Sequence, residues 1–531
     1  MFGEQRGEAA MIGQQSRRRW WILGAVCLAA LLIGVANNIV NVGLPAMSAQ
    51  LGTTTATLQW VVDAYIMCLA GLLLVGGYLA DRYGRRRMLI IGLLLFAAAS
   101  AGAAAAHGFD GLVAARAAMG VAAALIYPAT LAIIASVFTD RSEKAFAVGL
   151  WSAISGIAVA SGPLIGGLLL AHFWWGSVFL VNLPLVAITL AATVFAVPES
   201  RSATRTPLDL VGAGAAITGI ALLLWAIISG PQRGWSDPLV VAAFLAASIV
   251  LIGFYYRERR NRFPLLDVRL FANPRFTVAS WSITTAFFGL VGFSFMITFY
   301  FQTIRGYSPL QAGLAIVPYA LVVAAMAPLA LALTRRIGTK YVVVAGLSSM
   351  SAGFLVATRI ELDTPYDGPI LLAICLMAVG LAFTTGPATD ALLNTVPPER
   401  AGVASSVNDT TRELGAALGV AVLGSLLSWT FRADLGRAWS KLGVPQAVIE
   451  HGQTSATAAL AQAVGAPATH TAQLAFIHGL HVGAYTAAAI AAAGAVLALV
   501  MLPHFDRIER GATEFAVSGA PVSAEPIKSA R

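Results

Sequence analysis

Fourteen apolar runs, most of them about 20 residues long, limit what this chain can fold into more than any other feature of its sequence. A helix needs about 20 mostly apolar residues to cross a bilayer, so each run predicts one membrane-spanning helix and the whole chain an all-α membrane protein. The runs, numbered here as spans 1 to 14, lie at about residues 20–43, 59–80, 88–107, 111–136, 145–170, 177–197, 210–229, 239–256, 277–301, 310–333, 341–358, 370–392, 402–428 and 475–502.

The composition agrees with this pattern. The chain is 58% hydrophobic and only 11% charged, whereas soluble domains are about 25% charged.

Span 1 follows three arginines and has no small-residue cleavage pattern behind it, so it is interpreted as a span rather than a signal peptide. The three cysteines lie inside apolar runs and indicate neither a disulfide framework nor a metal cluster. No metal and no cofactor are predicted, and no phosphate-binding loop supports ATP as the energy source.

The basic residues are distributed unevenly between the loops. If the amino terminus lies in the cytoplasm, the inside loops carry 18 Arg and Lys and the outside loops carry 6. This split fits the positive-inside rule and predicts that both termini are cytoplasmic. The formal net charge of +9 is therefore interpreted as an orientation signal, and no nucleic-acid partner is predicted.

A short repeat indicates how the spans are grouped. The segment from Gly77 to Arg87 follows span 2, and the degenerate basic-Gly-basic echo from Thr334 to Lys340 follows span 10. If the two correspond, span 9 corresponds to span 1 and two six-helix bundles flank an inserted pair. The predicted divisions are an amino-terminal tail at 1–19, a first bundle at 20–198, the inserted pair with its linkers at 199–276, a second bundle at 277–503 and a carboxy-terminal tail at 504–531. Residues 1–16 and 511–531 lack apolar periodicity and are predicted to be disordered.

Several of these motifs resemble those of the major facilitator superfamily. The segment from Gly77 to Arg87 matches the loop signature of the superfamily. Arg116 in "LVAARAAMG" matches the fourth-helix motif, and the segment from Gly156 to Gly167 resembles the fifth-helix antiporter motif. Fourteen spans, "NIVNVGLP" ending at Pro45 and "VPPERAGVASSVNDTTRELGAALG" from Val396 resemble the drug:proton antiporters of the QacA/EmrB type, over about residues 20 to 503.

The resemblance implies a monomeric inner-membrane antiporter, not an enzyme. It would exchange protons for amphipathic drugs and dyes, cationic or neutral, by alternating access in the lipid bilayer. An exporter of lipids, metabolites or natural products on the same scaffold is the alternative. A membrane enzyme has little support, because no nucleophile–base pair occurs at membrane depth.

Ionisable residues inside apolar spans are the candidates for proton coupling and substrate binding, because such charges are costly at the bilayer centre. Asp409 and Glu413 share one face of span 13 and are predicted to share a proton, unless Arg412 merely neutralises Glu413. Arg116 in span 4 either exchanges partners during transport or forms a fixed ion pair. Asp63 near the outer end of span 2 and Asp390 near the inner end of span 12 are further candidates, with solvated helix ends as the alternative.

Two glycine-containing motifs are predicted to serve conformational change. A cytoplasmic latch is predicted in which Asp81 pairs with a helix end or an arginine in one state and releases it in the other. Its members are Gly77, Asp81, Arg82, Gly84, Arg85 and Arg86. Span 5 is predicted to interrupt its regular hydrogen bonding at Gly162-Pro163, forming a kink. The motif comprises Gly156, Gly162, Pro163, Gly166 and Gly167, and small residues also allow close helix packing.

The sequence also departs from the resembled family. Exporters of quaternary ammonium compounds usually carry an Asp in span 1, where this chain has Ala36, so divalent cations are disfavoured as cargo. Polar and aromatic side chains that could contact cargo, or simply pack, are Asn37, Asn38, Asn41, Trp60, Tyr65, Tyr127, Trp151, Trp281, Phe287 and Tyr319. Residues 431–474 are predicted to form short helices over the outer mouth, as a gate or a passive cap.

Overall fold

The computed structural model describes residues 2–51, 55–202, 209–262, 264–396, 401–453, 455–463 and 465–502, and within these ranges the chain forms helices and no strand. A 3-10 helix (Val268–Ala272) and two π-helical turns (Tyr300–Ile304 and Tyr366–Ile370) join the α-helices. The α-helices are α1 (Phe2–Leu51), α2 (Thr55–Tyr83), α3 (Arg85–Ala104), α4 (Phe109–Val137), α5 (Arg141–Leu170), α6 (Ser177–Leu180), α7 (Asn182–Ala196), α8 (Leu210–Arg233), α9 (Pro238–Arg260), α10 (Pro274–Phe299), α11 (Pro309–Ile337), α12 (Thr339–Ala357), α13 (Leu371–Leu393), α14 (Ala401–Lys441), α15 (Gln446–Gly452), α16 (Ala456–Gln462) and α17 (Ala466–Met501).

The predicted spans correspond to these helices in order. Spans 1–5 are α1–α5, span 6 is α6 with α7, spans 7–13 are α8–α14, and span 14 is α17. Thirteen helical segments of the described residues are long and apolar enough to cross a bilayer, and each coincides with a predicted span. The remaining prediction, span 5, matches α5, a helix of 30 residues. The all-α class is therefore confirmed.

The two basic-Gly-basic segments have the same backbone role. Gly84 separates α2 from α3 with φ +116°, and Gly338 separates α11 from α12 with φ +86°. A residue with a side chain is strained at such positive φ values, so glycine suits both corners. The repeat recognised in the sequence thus marks two equivalent turns between adjacent helices.

Glycines also allow close helix packing, in equivalent places in the two halves. In the amino half (α1–α7), a Cβ on Gly162 would lie 2.7 Å from the Asn38 Cβ of α1. In the carboxy half (α10–α17), a Cβ on Gly415 or Gly419 would lie 2.3 Å from a backbone oxygen of α10. Since α5 packs on α1 and α14 packs on α10, small residues allow both pairs to approach closely.

The inserted pair, α8 and α9, is joined at one end by a polar cluster. Asp209 caps α8 by accepting a hydrogen bond from the Gly212 nitrogen at 2.9 Å and pairs with Arg257 of α9 at 2.8 Å. Burial favours the neutral carboxyl, but these contacts and a bond from Asn261 outweigh it and hold the pKa of Asp209 below its ordinary value. The cluster fixes α9 beside α8, whose Ile217 packs near Gly71 of α2.

Two predictions about helix extent are wrong. Residues 2–16 continue α1 instead of being disordered, since their Glu, Gln, Ala and Arg residues favour extension of an existing helix. Helix α5 continues through 162 and 163, so span 5 does not end at this motif, and the kink stays a prediction. Helix α14 continues to Lys441, well past the predicted end of span 13 at 428.

The extension of α14 belongs to a small helical cap. The short helices predicted within 431–474 are present as α15 and α16. The Trp439 ring is fully buried beside Gly452, and its Nε1 donates a hydrogen bond to the Ala468 carbonyl at 3.1 Å. Trp439 therefore joins the end of α14 to α15 and to the start of α17.

Candidate functional site: buried charges and the contacts between the halves

Helices α2 and α14 meet at Gly77 and Gly402. A Cβ on Gly77 would lie 2.3 Å from the Gly402 carbonyl oxygen and 2.0 Å from Ser406 Oγ. A Cβ on Gly402 would in turn lie 2.5 Å from the Gly77 oxygen. No side chain fits at this crossing, so the amino half and the carboxy half touch backbone to backbone.

Asp81 lies one turn beyond this crossing and caps the start of α14. Its Oδ2 accepts a hydrogen bond from the Gly402 nitrogen at 2.9 Å, and its Oδ1 accepts bonds from Arg85 at 2.8 and 3.0 Å. Carboxylates are favoured at helix amino termini, where backbone N–H groups lack helical partners. The contact to a helix end and to an arginine is the geometry that the latch prediction requires.

The side chains of Arg82 and Arg86, two further predicted members of the latch, form hydrogen bonds within the amino half. Arg86 donates to the Val194 carbonyl at 2.8 Å, and Arg82 donates to the Tyr78 hydroxyl at 2.8 Å. Glu199, which the sequence analysis missed, accepts bonds from the Arg86 and Arg87 nitrogens and lies where a Cβ on Gly84 would be. Its position in the charged segment that follows span 6 is the sequence feature that could have identified it.

Helix α5 forms a second set of contacts between the halves. Near its start, Arg335 donates to the Ser142 carbonyl at 2.7 Å and Lys144 donates to Asn394 at 3.0 Å. Asp390 lies within electrostatic range of Lys144, so the structure places it at this contact. We name this end of the bundle, which also holds Asp81 and Arg85, the basic end.

The opposite end of α5 also contacts the carboxy half. A Cβ on Gly167 would lie 3.4 Å from the Leu310 Cα of α11. Near the basic end, a Cβ on Gly149 would lie 2.5 Å from the Leu331 side chain of the same helix. Helices α5 and α11 therefore touch near both ends.

Arg116 of α4 is fully buried with an incomplete set of partners. Its Nε donates to the Val61 carbonyl at 2.8 Å and its guanidinium lies over the Tyr65 ring at 4.2 Å. Nη1, Nη2 and the Tyr65 hydroxyl have no hydrogen-bond partner in the described structure. A fixed ion pair, the alternative considered for Arg116, is not what the structure shows, because its partners are a carbonyl and a ring.

Asp409 lies in a polar network about two turns from the start of α14. Its Oδ1 accepts a bond from Asn408 at 3.0 Å, and Asn408 Oδ1 accepts one from Thr389 at 2.8 Å. The second carboxylate oxygen is buried and has no partner in the described structure. Glu413, one turn further along the helix, is only half-buried and lies within electrostatic range of Tyr65.

Asp63 shares a helix face with Asp81. The two are 18 positions apart, which is five turns of an α-helix, so both lie on the side of α2 that holds Gly77. Only 8% of Asp63 is exposed, which argues against the alternative of a solvated helix end. The helix therefore carries one acid at the contact between the halves and another far along the same face.

Arg412 is held by aromatic rings from both halves. Its Cζ lies 4.8 Å from the ring centroid of Trp151 in α5, 4.5 Å from that of Phe287 in α10 and 5.9 Å from that of Tyr127 in α4. Its Nη1 lies 3.9 Å from the Asp409 carboxylate and 3.4 Å from the Tyr127 hydroxyl. We call Tyr127, Trp151 and Phe287 the aromatic cage.

The other predicted cargo contacts are more dispersed. Tyr65 and Tyr319 are buried, whereas Trp281 is 58% and Trp60 42% exposed. The prediction for these two tryptophans is not supported, since neither ring is enclosed by the helices. Asn37 and Asn38 are half-buried, and Asn38 donates to the Gly34 carbonyl at 2.7 Å. Of Asn41, Gly156 and Pro163, the structure describes only that they lie in α1 and α5.

The helices form two halves that contact each other through α2 with α14 and through α5 with α11. The profile of the Major Facilitator Superfamily matches residues 26–420. The chain belongs to this superfamily. It is therefore a multi-pass membrane protein of a transporter family, and the buried charges described above lie inside a transporter fold.

Relatives within the superfamily are drug-resistance proteins. The chain is 35% identical over 420 residues to the multidrug resistance protein Stp of Mycobacterium tuberculosis, covering 79% of this chain and 78% of Stp. It is 35% identical over 419 residues to the multidrug efflux pump LfrA of Mycolicibacterium smegmatis, covering 79% and 82%. The proton:xylose symporter XylE has the same fold, with a TM-score of 0.60 at 16% identity over 92% of this chain and 97% of that structure.

Proposed function

We propose that this protein is a proton-coupled multidrug efflux transporter that exports amphipathic cationic or neutral compounds by alternating access. The observation that carries the proposal is the set of ionisable side chains enclosed by membrane-spanning helices: Asp63, Arg116, Asp409 and Glu413. A charge at the bilayer centre costs about 2.5–3.5 kcal/mol on insertion scales, so several such residues in one place indicate a function.

The names of the relatives support drug efflux as the direction and cargo of transport. Both Stp and LfrA are described as multidrug proteins, and LfrA is described as an efflux pump. Each aligns with about four-fifths of this chain. Small molecules are therefore the proposed cargo.

Protonation of the buried acids provides the proposed coupling. Asp409 has one carboxylate oxygen without a partner in the described structure, and Glu413 is half-buried beside it on the same helix face. Two carboxylates this close do not both ionise cheaply away from water, so they would share a proton that cargo displaces. Asp63 on α2 is the second proposed proton site.

Alternating access would open the two ends of the bundle in turn. Opening the basic end requires the Asp81–Gly402 hydrogen bond and the Arg335–Ser142 bond to break. Opening the other end requires Gly167 to separate from Leu310. We propose that the basic end faces the cytoplasm, that both termini lie there, and that the monomer is active in the inner membrane.

Transport in proteoliposomes tests this proposal. Purified protein is reconstituted with an imposed pH gradient, and ethidium movement is measured together with proton flux. The wild type should exchange ethidium for protons, and Asp409→Asn, Glu413→Gln or Asp63→Asn should abolish the proton flux. Asp110→Asn, at an exposed acid in the first turn of α4, is the matched control.

The alternative cargo class, lipids or neutral metabolites, has one observation in its favour. Ala36, which stands where cation exporters usually have an Asp, is fully buried, so span 1 offers no acid to cationic cargo at this position. A wild type that moves neither ethidium nor protons would contradict the drug-efflux proposal. Lipid transfer in the same vesicles would then become the leading function.

A further inference from the structure

We propose that the aromatic cage is the site for a planar organic cation, and that Arg412 occupies it until the cargo displaces the guanidinium. The inference rests on the proposed function and specifies where the cationic cargo binds. It identifies Arg412 as a built-in competitor of that cargo.

The geometry of the cage is that of a cation site. Its three ring centroids lie 4.5, 4.8 and 5.9 Å from the Arg412 Cζ, and cations within about 6 Å of a ring centroid are attracted by its π face. Trp151 and Arg412 are buried, whereas Tyr127 and Phe287 are only half-buried. The cage is thus partly accessible, and its two half-buried rings come from different halves of the transporter.

Trp151 is held in place independently of Arg412. Trp151 Nε1 donates to Thr130 Oγ1 at 3.0 Å, and Thr130 Oγ1 donates to the Tyr127 carbonyl at 2.7 Å. Tyr127 and Trp151 also pack edge to face, with centroids 5.6 Å apart. A preorganised site loses little conformational entropy when a ligand replaces the arginine.

The Arg412 guanidinium can pair with nearby carboxylates when it leaves the aromatic cage. Its Nη1 is 3.9 Å from Asp409, and Glu413 follows it directly in α14. Between them these carboxylates can receive the guanidinium when a cargo cation enters the cage, and an ionised acid pairs better with it than a protonated one. Cargo binding would thereby favour proton release, since the displaced arginine stabilises the charged carboxylates.

Ethidium titration of the purified protein in detergent measures this competition without requiring transport. Arg412→Gln removes the competing cation and should tighten ethidium binding about tenfold, which corresponds to about 1.4 kcal/mol. In a Trp151→Leu background the same substitution should give little gain, because the cage is incomplete. Trp151→Phe, which keeps an aromatic face, should retain most of the gain.

Two controls separate the cage from simple charge repulsion or vacated space. Arg116→Gln removes a buried cation that stacks on Tyr65, outside the cage, and should not tighten ethidium binding. The neutral aromatic probe N-phenylnaphthylamine should bind equally well to wild type and Arg412→Gln. If the glutamine variant does not stay monodisperse, Arg412→Lys replaces the stacking guanidinium by a compact ammonium and should give a smaller gain.

An unchanged ethidium affinity in Arg412→Gln, or a gain that persists with Trp151→Leu, would overturn the inference even if the wild type exports ethidium. A wild type that transports no dye would instead overturn the proposed function, and the titration would still report on the cage.

Discussion

The Asp81 carboxylate of α2 accepts a hydrogen bond from the backbone nitrogen of Gly402, 321 positions further along the chain, at 2.9 Å. The same carboxylate pairs with Arg85 one turn away. One side chain thus joins the end of a helix in the amino half to the start of a helix in the carboxy half. Any movement that opens the basic end must first separate these two groups.

Replacing Asp81 by Asn should open the basic end and reduce transport. Arg85, only 3% exposed, would lose its carboxylate partner, and breaking a buried pair typically costs about 3–5 kcal/mol. Thiol labelling of Ser406→Cys, with the native cysteines replaced by serine, reports the opening. Labelling should be several-fold faster with Asp81→Asn and unchanged with Asp110→Asn. Equal labelling rates would show that Asp81 does not hold the halves together.

Gly77→Ala should impair the same contact through volume alone. The added methyl group would lie 2.3 Å from a backbone oxygen that cannot rotate away, so α2 and α14 must move apart. We expect ethidium transport in proteoliposomes to fall by an order of magnitude or more. Gly102→Ala is the matched control, because a Cβ there has no neighbour within 4 Å. Full activity in Gly77→Ala would indicate that the close approach is not needed during the cycle.

Arg116→Met should abolish transport without destabilising the protein. The guanidinium is buried with two nitrogens that lack partners in the described structure, and burying a charge without a full set of partners costs free energy that an apolar side chain avoids. Thermal unfolding in detergent and dye transport are measured together. A melting temperature several degrees below that of the wild type would instead assign Arg116 a structural role.

Trp439→Ala should loosen the helical cap while leaving the membrane helices folded. Truncating a buried tryptophan costs about 3–5 kcal/mol, and this ring also donates the bond to the Ala468 carbonyl. Hydrogen exchange should become faster in α15 and α16 and stay unchanged in α3 and α4. Trp429→Ala is the control, since that ring is 71% exposed on the same helix. Similar exchange in both variants would argue against a cap core centred on Trp439.

Local patterns in the sequence were sufficient for most of the fold. Apolar run lengths predicted the spans, and the echo between Gly84 and Gly338 predicted two equivalent turns. The errors arose where neighbouring structure outweighs local signals. Helix α14 extends to Lys441 because Trp439 packs on residues of α15 and α17.

The candidate site could be predicted less completely. The sequence indicated which charged residues are costly to place in a membrane. It did not indicate which residues contact those charges. Arg412 was expected beside an acid, and the structure also places it among three aromatic rings from α4, α5 and α10. Trp281 was grouped with those rings because aromatic residues look alike in a sequence, and it is exposed.

The sequence by itself determined that this chain crosses a membrane many times, where it carries charge within the spans and which superfamily it resembles. Those properties depend on transfer of local segments from water to lipid, which short stretches of sequence specify. Only the tertiary structure decided that Asp81 meets Gly402 and that Trp151 and Phe287 enclose Arg412. Such contacts join residues more than a hundred positions apart, and they depend on how helices pack against one another rather than on any single helix.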